Sequence, residues 1–146
     1  MKNIKSAGFT LIEVMVVIVI IGLLASIIVP NVISRTDDAK MAKVKQDILS
    51  LENALEMYRL DNGFYPSTDQ GLQALVSEPQ GDPKPNAWRQ GGYVKQLRND
   101  PWNNPYQYLS PGSHKEIDVF SYGKNGKGRE DDKLIIGNWT EASANK

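Results

Sequence analysis

Apolar and polar positions divide the chain into three regimes. The first runs from Phe9 to Val29, where Glu13 is the only formal charge and no polar face recurs at period 3.6. As a helix this run spans roughly 30 Å, the thickness of a bilayer's hydrocarbon core. The chain left over is too short to wrap it as a buried core helix. Lys2 and Lys5 precede the run, and Asp37 and Asp38 follow it. That asymmetry predicts a cytoplasmic N-terminus, one membrane pass and export of residues 31–146. Pro30 has no N–H and predicts a kink or a local loss of helix around residues 26–30. Two readings of it stand, a membrane-exit kink and an extensible segment.

From Asp37 to Leu60 the pattern becomes amphipathic. Val44, Ile48, Leu51, Leu55 and Tyr58 form one stripe, with Ala54 and Met57 beside it. Lys43 with Asp47 and Glu56 with Arg59 have helical pair spacing on the polar side. A single long helix is therefore predicted, starting in the membrane and ending as the spine of the exported domain. Asp61-Asn62-Gly63 supplies its stop.

The third regime is short and punctuated. Ser67 followed by Gln70 is a capping-box pattern and predicts a two-turn helix over about residues 68–77. Prolines and glycines make residues 78–92 a surface loop in which Trp88 packs on the domain. Tyr93–Lys95, Tyr106–Leu109 and Ile117–Tyr122 read as short strands, joined by turns at Asp100-Pro101 and Ser110-Pro111-Gly112. A two- or three-stranded antiparallel sheet folded on the long helix follows, an α+β arrangement.

Composition narrows the chemistry. The chain has 146 residues, 17 basic and 17 acidic side chains, one histidine and no cysteine. That balance does not point to nucleic acid. Lack of cysteine excludes a disulfide, a thiolate metal site and a cysteine nucleophile. His114 stands in a presumed turn without a recognisable triad, and no phosphate loop is present, so an enzyme is not expected.

Glu13 needs an explanation. A carboxylate inside a bilayer costs a few kcal/mol on the insertion scale (roughly 2.5–3.5), so it calls for a partner. One reading places it at the cytoplasmic interface. The other brings a positive charge from elsewhere. Ala7 and Gly8 lie ahead of the apolar run, where a cut would leave the helix on the mature protein. The α-amine of Phe9 would then be that charge, from the same chain or a neighbour.

GFTLIEVMVVIVIIGLLASIIVPN resembles the N-terminal signal of type IV pilins and pseudopilins. The resemblance implies that a prepilin peptidase cuts between Gly8 and Phe9 and methylates Phe9. It also implies that Glu13 recruits and aligns each incoming subunit. MYRLDNGFYPSTDQGLQALV, GGYVKQLRNDPWNNPYQYLSPG, IDVFSYG and IGNW together resemble the major pseudopilins of type II secretion systems. The likeness extends from Gly8 to Trp139. It implies a type IV pilin-like fold, with a long N-terminal helix (membrane half plus amphipathic half) packed on a small antiparallel sheet and a loop-rich C-terminal region. Residues 1–8 are then a cleaved basic leader, 9–30 a transmembrane and filament-core helix, and 31–146 a periplasmic domain. The implied function is structural: a single-pass inner-membrane protein that polymerises into a periplasmic helical filament and drives export of folded proteins. Implied partners are further copies of itself, minor pseudopilins, the inner-membrane assembly platform and, before assembly, membrane lipid. A type IV or competence pilus subunit is the alternative. Type IVa pilins usually carry a C-terminal disulfide loop, which a chain without cysteine cannot form.

One loop remains. Residues 121–132 are glycine-rich and end in Glu130-Asp131-Asp132. Calcium accepts carboxylate, amide and carbonyl oxygens, although the spacing here is not that of an EF-hand. On chemistry alone a solvated turn and a calcium site both stand. The resemblance implies metal binding, with the Tyr122 carbonyl, Asn125, Asp131 and Asp132 as calcium ligands. Asn125 takes the place of the family's usual aspartate, and Lys133-Leu134-Ile135 is an apparent insertion.

Overall fold

The computed structural model describes residues 8–126 and 135–140, with side chains at 27–35 left out. Helix α1 is assigned over Leu11–Asn62, and the chain divides inside it into two compact units, Met1–Ala39 and Lys40–Lys146. Each unit is described by itself.

In the first unit Thr10 is the N-cap. Its hydroxyl oxygen accepts from the Glu13 N–H at 3.4 Å, and its carbonyl accepts from Glu13 N–H at 3.1 Å and Val14 N–H at 3.3 Å. Glu13 is thereby the third helical residue, and its charge favours the positive end of the helix. The helical assignment continues through Pro30, so the expected loss of helix there does not occur.

The expected membrane half of this helix is corrected. Among the described residues, no helix is long and apolar enough to cross a membrane. The stretch from Lys40 onward is interrupted by Lys43, Lys45, Asp47, Glu52, Glu56 and Arg59. A continuous membrane-plus-spine helix, a transmembrane assignment and a single-pass inner-membrane placement therefore lose the element on which they rested.

The second unit is built on the amphipathic stripe. Val44, Ile48, Leu51, Ala54, Leu55 and Tyr58 are all buried, as their spacing predicts, whereas Met57 remains 43% exposed. Gly63 ends the helix with φ 86°, its N–H donating to the Arg59 carbonyl at 2.7 Å. Asn62, itself buried, uses its amide to donate to the Tyr58 carbonyl at 2.9 Å and the Tyr93 hydroxyl at 3.0 Å. Its Oδ1 accepts from Ala87 N–H at 2.9 Å, so the helix terminus holds the 78–92 loop.

The predicted capping box forms reciprocally. Ser67 N–H donates to Gln70 Oε1 at 3.0 Å, and Gln70 N–H to Ser67 Oγ at 3.2 Å. Only one 3-10 turn follows, Leu72–Leu75, because Gly71 takes φ 59° and breaks an α-helical start. Trp88 packs as expected, its Nε1 donating to the Ala74 carbonyl at 2.9 Å.

The sheet has three antiparallel strands in the order β1 (Gln107–Leu109), β2 (Asp118–Ser121) and β3 (Ile136–Gly137). Tyr108 faces Val119 across the first pair, and Ser121 faces Ile136 across the second. The third strand is Ile136–Gly137, not the predicted Tyr93–Lys95. After the positive φ of Gly91 and Gly92, Tyr93 and Val94 donate to the Leu75 carbonyl at 2.7 and 3.2 Å instead of to a strand.

The IGNW stretch locks the sheet. Asn138 donates to Glu52 Oε1 at 2.7 Å and to the Ile117 carbonyl at 3.0 Å, while its backbone N–H donates to the Val119 carbonyl at 3.0 Å. Gly137 lies beneath Trp139, and a β-carbon there would come within 2.3 Å of the indole ring. Gly137→Ala is accordingly expected to displace Trp139 and cost about 1–3 kcal/mol. A shifted indole resonance for Trp139 and a lowered Tm are the readouts.

Candidate functional site

Two groups of residues carry the candidate chemistry. The first is the start of α1. Phe9 is 82% exposed, Leu11 79% and Ile12 70%, and the large apolar side chains through Leu24 are all close to half exposed or more. Among the described residues no ion pair forms on the Glu13 carboxylate, and nothing lies within 4 Å of a β-carbon built on Gly8. The structure thus places Gly8, Phe9 and Glu13 together at an open helix end. The T-x-x-E pattern of Thr10–Glu13 is a second capping-box signature that the sequence carries and the apolar run conceals.

The second group is the loop after β2. Ser121 Oγ donates to Asp100 Oδ2 at 2.5 Å and accepts from Gly123 N–H at 2.9 Å. Asp100 Oδ1 accepts from Trp102 N–H at 3.0 Å and Asn104 N–H at 2.8 Å. Asn104 Nδ2 donates to the Gly123 carbonyl at 3.3 Å. Asp100 is buried and its oxygens are committed to these donors. Tyr122 packs edge-on to Phe120 at 5.3 Å, and Asn125 lies exposed in the 3-10 turn Gly123–Asn125. Asp131 and Asp132 lie outside the described residues. The expectation of a metal-binding cluster is corrected for what is described. No group of three or more histidine, cysteine, aspartate or glutamate side chains converges among the described residues.

Sequence reasoning missed a third constellation. Asp118 is 1% exposed, at the start of β2. Its carboxylate accepts from Ser113 N–H at 2.7 Å, His114 N–H at 3.0 Å and Lys115 N–H at 3.0 Å. His114 Nδ1 lies 3.0 Å from the same carboxylate, and its ring stacks on Trp139 at 3.9 Å and 2°. Burial pushes the Asp118 carboxyl upward, but the His114 ring and the three backbone donors outweigh it and hold it below the usual carboxylate range. The available signal was an aspartate four residues after the histidine of a Pro-Gly-Ser-His turn.

An exposed apolar helix start after a glycine–phenylalanine step, joined in sequence to a helix packed on a small antiparallel sheet, defines a pilin-like structural subunit. A family profile described as the prokaryotic N-terminal methylation motif matches residues 3–29, and one described as type II secretion system, protein G matches residues 31–139. Type II secretion system core protein G of Aeromonas hydrophila is 54% identical over 139 residues, covering 95% of this chain and 96% of the relative. That of Vibrio cholerae is 55% identical over 136 residues, 92% of each. The crystal structure of the major pseudopilin from the type 2 secretion system of enterohaemorrhagic Escherichia coli superposes with TM-score 0.69 at 46% identity, covering 77% of this chain and 93% of that one. The chain belongs to the protein G family of type II secretion systems, the major pseudopilins. It is a structural subunit of the pseudopilus involved in protein export. A type IV or competence pilus subunit is not favoured.

Proposed function

We propose that a prepilin peptidase cuts this chain between Gly8 and Phe9 and methylates Phe9, and that Glu13 then aligns each copy as it joins a helical filament. The observation that carries this reading is the apolar surface that begins at Phe9. Its large side chains are 48–82% exposed from Phe9 to Leu24, with Glu13 the one acid among them. A patch of that size marks an interaction surface. In a filament it faces the same surface of other copies, and the pairing of one carboxylate with one amine sets the register. Minor pseudopilins and the assembly platform of the secretion system are the further partners of this reading.

Imaging of the overexpressed full chain tests the assembly. Uniform filaments are expected, and processed chains that never assemble would refute it. The cleavage step is tested separately. Gly8→Leu puts a branched side chain at the cut and is expected to leave most of the protein with its leader, seen as the intact mass. Normal processing of that variant would mean that a different protease acts.

A further inference from the structure

The chain contains two Asn-Gly pairs, Asn62-Gly63 and Asn125-Gly126. Asn-Gly is the dipeptide most open to cyclisation, because glycine carries no β-carbon to hinder attack of its own nitrogen on the preceding amide. The structure separates the two. Asn62 is 4% exposed, and its amide is fixed by the Tyr58 carbonyl, the Tyr93 hydroxyl and the Ala87 N–H. The nitrogen that would attack it, Gly63 N, is itself engaged at 2.7 Å with the Arg59 carbonyl. Asn125 is exposed, and its side chain makes no hydrogen bond among the described residues. Gly126 N reaches the Gly123 carbonyl only at 3.3 Å, at the end of a single 3-10 turn. Cyclisation needs a free side chain and a nitrogen that can leave its hydrogen bond. Among the described residues Asn125 has both, and Asn62 has neither without local opening of the helix end.

We propose that Asn125 is a site of spontaneous deamidation in the folded subunit. Gly126 N loses its proton to water or hydroxide and attacks Asn125 Cγ. A bond forms between that nitrogen and Cγ, the bond from Cγ to Nδ2 breaks, and ammonia leaves. Water then opens the resulting succinimide. Cleavage between the nitrogen and Cγ gives aspartate; cleavage between the nitrogen and the backbone carbonyl carbon gives isoaspartate. No electron transfer is involved. The product exchanges an amide for a carboxylate, so a chain of zero formal net charge becomes negative by one. The subunit pool becomes a mixture of two charge forms, differing in the loop that follows β2.

The test uses the full chain, folded and in urea, held at mildly alkaline pH and followed by peptide mapping with mass spectrometry. In the folded chain the Asn125 peptide gains the mass of an NH₂-to-OH exchange, at least about tenfold faster than the Asn62 peptide. In urea the two rates come within about twofold of each other, because the local sequence is then all that distinguishes them. Asn125→Gln, which must close a larger ring, removes the more acidic band on isoelectric focusing. Equal conversion at both sites in the folded chain overturns the proposal. So does an Asn125 peptide that stays unchanged while the urea sample converts, or an acidic band that survives in Asn125→Gln.

Discussion

Asp118→Ala is expected to lower the unfolding free energy by roughly 3–5 kcal/mol. The side chain is buried, and its two oxygens satisfy the backbone N–H groups of Ser113, His114 and Lys115. Truncation removes the buried acceptor shared by three backbone donors on the exposed residues 113–115. Each such donor costs about 1–3 kcal/mol when left unmatched. The loss also releases His114, whose ring bridges Asp118 and Trp139. Asp118→Asn keeps one acceptor oxygen and is expected to lose only about 1–2 kcal/mol. Against a total stability of about 5–15 kcal/mol, the alanine variant is close to the limit of folding. Denaturant titration of the full-length variants checks the order. An alanine variant as stable as the asparagine one would sink the account, because the acceptor count would then not matter.

The same carboxylate sets a pH dependence whose sign is fixed. Its folded pKa lies below its unfolded value. The stability it contributes is therefore fully present above the unfolded carboxylate pKa, about 4, and is lost as pH falls through the lower folded value. Wild type is expected to lose stability over that acid range, and Asp118→Asn to lose less. The gap between the two narrows as the solution is acidified.

What the chain reveals before folding depends on the range of the interaction. The stripe Val44, Ile48, Leu51, Leu55, Tyr58 is legible because a helix brings its own neighbours together at period 3.6. The Ser67–Gln70 capping box was read correctly, but Gly71 at φ 59° stopped the α-helix that it seemed to announce. Tyr93–Lys95 has strand-forming residue types, yet its N–H groups go to Leu75, a partner fixed by tertiary packing. Ile136–Gly137 is too short to show alternation and becomes a strand only because β2 is there to pair with it. The Asp118 constellation required the chain to bring Trp139 back over His114, a closure with no local signature. At the N-terminus the reading from apolarity alone overreached. Hydrophobic composition suggested a membrane crossing, and among the described residues no helix is long and apolar enough for one.

Glu13→Gln is expected to abolish filament assembly as fully as Glu13→Ala, while leaving cleavage after Gly8 intact. The substitution matters because it separates two readings of residue 13. Thr10 caps α1 by accepting from the backbone N–H of Glu13, which puts residue 13 at the position that a capping-box side chain occupies. Glutamine serves at that position as well as glutamate does, so a capping role predicts normal filaments from the Gln variant. Pairing with the α-amine of Phe9 in a neighbouring copy needs the negative charge, which glutamine lacks. Leaving that amine unmatched in a packed interface costs about 2–5 kcal/mol per subunit contact. That is a loss of roughly 30-fold or more in subunit affinity at each addition, enough to stop a polymer that adds subunits one at a time. Thr10→Ala supplies the reciprocal control. It removes the cap, costs about 1 kcal/mol, and keeps the charge, so it is expected to thin the filaments without eliminating them. Electron micrographs of the three variants, with intact mass to confirm processing, separate the roles. Abundant filaments from Glu13→Gln would assign Glu13 to the helix start and remove charge pairing as the device that sets subunit register.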